Sequence, residues 1–225
     1  MTIIRPGQRV VHVPGLGVRT SSRAVASAGS GTDWSVWFTN FWDAKSAASQ
    51  AASYLDLVGS NNLSVGSSPA WAAGTGWTFT NDWLDTGIAP ASTGTLMIQY
   101  ASASGTSRVL GGCFKLATNE RFFIGVSSGG DYLWGYGNGS WTGASFAASG
   151  NMAIAGNTGY VNGSSIGTVG GSWAATALTM YLGARNNNGT ADIKFNPVTI
   201  IAAGYNPATL TGPQMTAAYA AMAAL

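Results

Sequence analysis

From about residue 53 onward the chain reads as short apolar runs broken by Gly, Asn, Ser and Pro. "YLDLVG" precedes "NNLSVGSSPAW" and "GWTFTNDWLDTG"; after Pro90 come "GTLMIQYASAS", "SRVLGGCFKL", "ERFFIGVS", "DYLWGYG" and "NMAIAG". Each run has the length of a strand, and their spacing predicts roughly ten to twelve strands of an antiparallel sandwich. Ser-Gly-Gly between "ERFFIGVS" and "DYLWGYG", and Asn162-Gly163 between apolar flanks, are hairpin signals. Strands do not alternate with helices, which argues against a parallel sheet.

One helix is well signalled, over residues 211–225. Thr211 is a good N-cap, Gln214 completes a capping box, and Leu210 and Met215 take the staple positions. Met215, Tyr219 and Met222 then form one stripe that can bury on the sheets. "AKSAASQAASYL" has the pattern of a second, short helix. Between the strands and the N-terminus, residues 33–52 form an aromatic-rich lead-in containing Trp34, Trp37, Phe38, Phe41 and Trp42. So many rings in so few positions are rarely left in water; they dock on the body or bury against another chain.

Residues 1–32 follow neither pattern. They hold four arginines (Arg5, Arg9, Arg19, Arg23), His12 and no acid, and close on a Ser/Gly/Ala stretch; they read as an extended basic arm. The remaining residues, 33–225, carry six basic and eight acidic groups, so a basic arm precedes a faintly acidic body.

Only 8% of the residues are charged, against about 25% in ordinary soluble domains. Yet 46% are hydrophobic and nine are tryptophan, ample for a core, so the surface must be made polar by Ser, Thr, Asn and Gly. No apolar run approaches the ~18 residues of a membrane span. The opening residues are broken by Pro6 and Gly7 too early for a signal peptide. Cys113 is the single cysteine, which excludes an intrachain disulfide and fits synthesis in a reducing cytoplasm.

"WTFTNDWLDTG", "GYVNGSSIGT", "MYLGARNNNG" and the closing "AAGYNPATLTGPQMTAAYAAM", in that order, resemble the concanavalin A-like lectin/glucanase superfamily, specifically a laminin-G-like domain. The resemblance runs from about Phe41 to Leu225. It implies an all-β fold: a two-sheet antiparallel jelly-roll sandwich over residues 33–225, with the arm before it and a short C-terminal helix. That superfamily hosts sugar binders, glycosidases, adhesion modules and phage structural proteins, so fold narrows function little. Cytoplasmic chemistry, a lectin-like sandwich and an N-terminal arm together resemble virion proteins of tailed bacteriophages.

Glycoside hydrolysis needs two carboxylates across a sugar, ~5–10 Å apart. Sandwich glucanases of the resembling superfamily place them as alternating acids on one strand. Here Glu120 is the single glutamate and the aspartates are scattered; Asp82 and Asp85 are near neighbours, but their spacing of three puts them on opposite faces of a strand. His12 is the single histidine, so Cys113 has no base in the body to activate it, and zinc is excluded. Calcium is open to the superfamily, but "RNNNGTAD" reads first as a tight turn, and no cofactor is expected. The arm lacks the dense basic run and stacking platform of a nucleic-acid binder.

These readings give a non-enzymatic structural protein of a bacteriophage particle, a capsid decoration protein or a tail or fibre module. It would be made in the host cytoplasm, displayed on the virion surface and homo-oligomeric. Arg5, Arg9, Arg19 and Arg23 would pair with acids of a capsid or tail protein, while Trp34, Trp37, Phe38, Phe41 and Trp42 would seal a subunit interface. The alternative is a carbohydrate-binding lectin-like module serving glycan or host-surface adhesion. Tyr136, Asn138 and Trp141 are its candidate contacts, although Trp134 and Tyr136 share one face of a strand and also read as a core stripe.

Overall fold

In the computed structural model, residues 31–225 are described. The basic arm's four arginines and His12 lie outside the described residues. In chain order the first strands are β1 (Asn40–Asp43), β2 (Ser64–Ser67), β3 (Ala70–Ala72), β4 (Gly76–Phe79), β5 (Trp83–Asp85) and β6 (Thr95–Ala101). Next come β7 (Arg108–Lys115), β8 (Glu120–Val126), β9 (Asp131–Gly137), β10 (Gly139–Ser145), β11 (Gly150–Ala155) and β12 (Thr158–Val161). The last are β13 (Ser164–Thr168), β14 (Tyr181–Leu182), β15 (Arg185–Asn187), β16 (Thr190–Asp192) and β17 (Val198–Asn206). A 3-10 turn (Trp34–Val36), one α-helical turn, α1 (Gln50–Ser53), and one longer helix, α2 (Gly212–Ala223), complete the set.

Seventeen strands exceed the expected ten to twelve because bulges and glycines split several sequence runs into pieces of two to four residues. They form two sheets. The eight-stranded sheet runs β13-β12-β11-β6-β17-β4-β3, with β1 also on β17. The nine-stranded sheet runs β10-β9-β8-β7-β14-β5-β2, with the β15–β16 hairpin attached to β7. Pairing is antiparallel except where β15 runs parallel to β7.

The turns follow the expected chemistry. Asn162 and Gly163 have φ of 49° and 76°, and Asn188 and Gly189 have 50° and 88°. Both pairs adopt the left-handed backbone that two-residue hairpins require and that Asn and Gly tolerate.

The inward faces of the two sheets enclose one core. Trp42, Trp77 and Trp134 are fully buried there, with Phe79, Phe122, Leu96, Ile98, Met152 and Ile154 around them. Each of those three indoles also satisfies its N–H: Trp42 donates to the Asn61 carbonyl (3.0 Å), Trp77 to Ser53 Oγ (2.8 Å) and Trp134 to the Ala153 carbonyl (2.8 Å). An indole buried without such a partner would forfeit ~1–3 kcal/mol.

A second cluster covers the outer side of the eight-stranded sheet. Trp34, Phe38 and Phe41 from the lead-in meet Leu210, Met215, Ala218 and Met222 of the C-terminal segment over Met97, Ala153 and Ala202. Gln214 accepts from the Thr211 N–H (2.9 Å), the Gln half of the capping box. The buried helix stripe is Met215, Ala218 and Met222, and Tyr219 is half-buried at its flank.

This packing corrects the assembly assignment of the aromatic lead-in. Trp34 (6% exposed), Phe38 (1%), Phe41 and Trp42 (both 0%) are buried in the chain's own core, and Trp37 is half-buried against the second cluster. The surface of Trp34, Phe38, Phe41 and Trp42 is already consumed by the chain's own sheets and helix, while Trp37 keeps part of its ring exposed.

Candidate functional site

The lead-in and α2 close the outer side of the eight-stranded sheet. The outer face of the nine-stranded sheet has no such cover among the described elements. On β8, Phe122, Ile124 and Val126 point into the core, while Phe123 alternates to the outside. Phe114 opposes Arg121 in the β7–β8 register and shares this outer side.

The two outer phenylalanines are roofed by guanidinium groups. Arg185 lies 4.6 Å from the Phe114 ring centre and 5.7 Å from that of Phe123, and Arg121 lies 5.5 Å from Phe114. At these distances the cation is held by the ring quadrupole at ~0.5–1 kcal/mol each. The floor is glycine. A Cβ on Gly135 would stand 2.4 Å from the Phe123 ring, and one on Gly125 would stand 2.2 Å from the Arg108 carbonyl. Only bare backbone lets Phe123 lie flat across β9. Further along, Trp83 stacks on Tyr181 with ring centres 4.1 Å apart and lies over Gly66.

Where β7 begins and β8 turns into β9, this face dips into a depression of about 160 Å³. Its walls are Val109, Phe123, Val126, Leu133 and Ile193; its polar lining is Ser107, Arg108, Ser127, Ser128 and Arg185. The two arginines differ in state. Arg185 is committed to Asp192 by two parallel hydrogen bonds of 2.8 Å, and Asn187 Nδ2 supports the same carboxylate at 2.7 Å. Arg108 donates from Nη1 to its neighbour's carbonyl, Ser107 O, at 3.2 Å, while its buried Nε has no partner. Ile193 holds φ at 45°, a strained region for a β-branched residue, and its carbonyl accepts from the Val109 N–H at 3.0 Å.

The residues expected to touch glycans lie elsewhere. Tyr136 is half-buried on the inward face of β9 with Tyr132 and Trp134, as the core-stripe reading has it. Its hydroxyl donates to the Ser92 carbonyl (3.0 Å), and its ring packs on Trp173 at 5.2 Å. Desolvation raises its pKa above the ordinary tyrosine value. Trp141 closes the edge of the sandwich, 5.1 Å from Trp134 and pressed on Gly167 of the facing sheet. Asn138 is exposed, but its side-chain oxygen is taken by the Ser172 N–H at 2.9 Å. The structure therefore brings these three to one edge of the sandwich but spends their groups on the fold.

The described acids serve mainly as loop braces. Asp56 accepts from Asn40 Nδ2 and from the backbone N–H groups of Phe41, Val58, Gly59 and Asn61, pinning β1 to the following loop. Asp43, Asp82 and Asp85 each hold a nearby backbone N–H. Glu120 and Asp131 stand at opposite ends of the β8–β9 hairpin, whose register pairs Arg121 with Gly137 and Val126 with Tyr132. At about 3.3 Å per residue they are roughly 20 Å apart. Among the described residues no three His, Cys, Asp or Glu side chains gather as a metal site, and no helix is long and apolar enough to cross a membrane. Cys113 is buried in the core, and desolvation pushes its thiol up to about 12.

No protein-family model matches the chain, and no curated protein matches it. Solved structures do. Trypanosoma rangeli sialidase superposes with a TM-score of 0.58 at 12% identity, over 82% of this chain and 32% of that one. The same enzyme in complex with sialic acid gives 0.57 at 12% identity, over 82% and 33%. NanB sialidase from Streptococcus pneumoniae gives 0.50 at 13% identity, over 64% and 27%. The chain thus spans about a third of the length of the trypanosomal enzymes, and the likeness is one of fold.

These matches correct the expectation of a non-enzymatic bacteriophage structural protein. The neighbours are sialidases, not virion proteins. The capsid and tail partners and the virion-surface location rest on that expectation and on the basic arm, which lies outside the described residues.

Proposed function

We propose that this chain is a carbohydrate-binding module: a concanavalin A-like, jelly-roll lectin sandwich that binds glycans on the outer face of its nine-stranded sheet without hydrolysing them. The observation that carries the reading is the depression. It sets apolar walls, Phe123 and Leu133, beside hydrogen-bonding side chains, Arg108, Ser107 and Ser128, on an otherwise glycine-floored sheet. A sugar ring has the same duality: apolar C–H faces and a hydroxyl rim. Sites of this kind place a few polar groups around a largely apolar hollow. The sialidase neighbours are carbohydrate-active proteins, which supports a carbohydrate ligand for the shared sandwich. The roughly 20 Å between Glu120 and Asp131 is far beyond the ~5–10 Å of a catalytic carboxylate pair, which argues against a two-carboxylate glycosidase built on these two acids.

A glycan array probed with the labelled full-length chain tests this. The expected result is retention of a defined set of glycans, lost in Leu133→Asp, which puts a charge into the depression from the half-buried outer side of β9. An array on which no glycan is retained, or retention that Leu133→Asp leaves intact, overturns it. Release of reducing sugar from a retained glycan would replace the module with an enzyme.

A further inference from the structure

The depression carries more chemistry than a neutral sugar needs. Arg108 is an arginine without an acid: among the described residues the one ion pair is Arg185–Asp192. Its Nε is buried and unpartnered, and its Nη1 reaches no further than the carbonyl of Ser107. Leaving a charged donor buried and unmade is costly, more so than for a neutral group. The lining nevertheless keeps it there, at the lip of a hollow with hydrophobic walls.

Charge bookkeeping narrows what fills it. Arg185 and Asp192 neutralise one another through both Nε and Nη2, so Arg108 leaves the depression with a single positive charge in excess. A monoanion balances that; a dianion overshoots. The guanidinium edge that contains Nε presents two N–H donors in one plane, which matches the two oxygens of a carboxylate. Phe123 and Leu133 offer a wall for the ring that bears it, and a volume of about 160 Å³ suits one ring or its substituent, not a longer chain.

We propose that the depression selects carboxylate-bearing sugars, with Arg108 receiving the carboxylate and Phe123 and Leu133 holding the ring. This rests on the carbohydrate-binding reading above and adds the class of glycan. The carboxylate can come from a hexuronic acid or from a nonulosonic acid such as sialic acid; both present the same planar monoanion on a ring.

The test is titration calorimetry on the full chain with four kinds of probe at one ionic strength. They are hexuronic acid oligosaccharides, sialylated oligosaccharides, the methyl esters of both, and neutral or sulfated oligosaccharides of similar length. Binding of at least one carboxylated kind is expected, with a loss of tenfold or more on methyl esterification; which kind binds separates the two sources. Arg108→Gln should lose as much as the ester, Arg108→Lys should lose part, and Lys45→Gln, on the loop after β1, should bind like the parent chain. If Arg108→Gln fails to fold, the ester comparison on the unaltered chain decides alone. Equal binding of acid and ester, tighter binding of sulfated glycans, or full binding by Arg108→Gln overturns the proposal. Binding confined to neutral glycans overturns it and leaves the module standing; no glycan binding at all removes both.

Discussion

Arg185 meets Asp192 edge to edge: Nε and Nη2 each lie 2.8 Å from one carboxylate oxygen, across the two-stranded β15–β16 hairpin. The pair is largely buried, with the arginine side chain 13% exposed and the aspartate 29%. It fixes the guanidinium over Phe114 and so shapes one wall of the depression.

Removing the carboxylate leaves that guanidinium without its partner. Asp192→Ala should destabilise the chain by about 1–3 kcal/mol, since an orphaned, mostly buried charge costs more than the pair contributed. The urea midpoint measures it. An unchanged midpoint would show that solvent satisfies Arg185 as well as Asp192 does.

Phe41 stacks on Trp34 with ring centres 3.9 Å apart and on Phe38 at 5.6 Å, and it is wholly buried. Phe41→Ala should therefore cost about 3–5 kcal/mol, the range for emptying an aromatic site in a core. If these rings instead served a subunit contact, the variant would melt like the parent chain and differ only in association. Differential scanning calorimetry with sedimentation velocity separates the two outcomes.

Trp134 crosses the gap between the sheets and lies against the backbone of Gly159, where a Cβ would stand 2.8 Å from the indole. Gly159→Ala should be destabilising by about 1–3 kcal/mol through overpacking, despite alanine's lower backbone entropy cost. A red-shifted tryptophan emission would accompany the loss if Trp134, wholly buried in the parent chain, is displaced toward solvent. A stabilised Gly159→Ala would mean that the sheets can separate to admit the methyl group.

Burial makes several acids weaker in the folded chain than in the unfolded one. Desolvation lifts Cys113 from its ordinary 9.0 to about 12, and lifts Tyr100 and Tyr205 above the ordinary tyrosine value. A folded pKa above the unfolded one gives stability that is complete below the unfolded value and is lost as pH rises toward the folded value. The melting temperature should therefore be insensitive to these groups up to about pH 9 and fall above it. In the same way a thiol reagent at pH 8 should label Cys113 only after denaturation, because the thiolate is the reactive form. Rapid labelling of the native chain would contradict the burial.

The scaffold was legible in the sequence where local chemistry decides. Asn162-Gly163 and Asn188-Gly189 make the turns that their tolerance of positive φ permits, and Thr211 with Gln214 starts the C-terminal helix. The aromatic lead-in was legible as a docking segment, but not its target, because density of rings says only that they leave water. The depression was not legible. Arg108, Phe123, Leu133 and Arg185 share no motif and are joined only by the β7–β8–β9 register and the parallel placement of β15 on β7. One signal was present: "FFIGV" is apolar at successive positions, and a sandwich strand apolar on both faces has something to do on its outer one. The inward packing of Tyr136 and Trp141 was not legible either, because an aromatic beside a Gly-Asn-Gly turn looks the same whether its ring points to solvent or into the core.

The most direct test of the account is the map of amide chemical-shift changes when a retained glycan is titrated into the isotopically labelled chain. The account predicts shifts concentrated at Arg108, Phe123, Leu133, Arg185 and Ile193, on the outer face of the nine-stranded sheet. Shifts centred on Tyr136, Asn138 and Trp141, or on α2 over the opposite sheet, would contradict it.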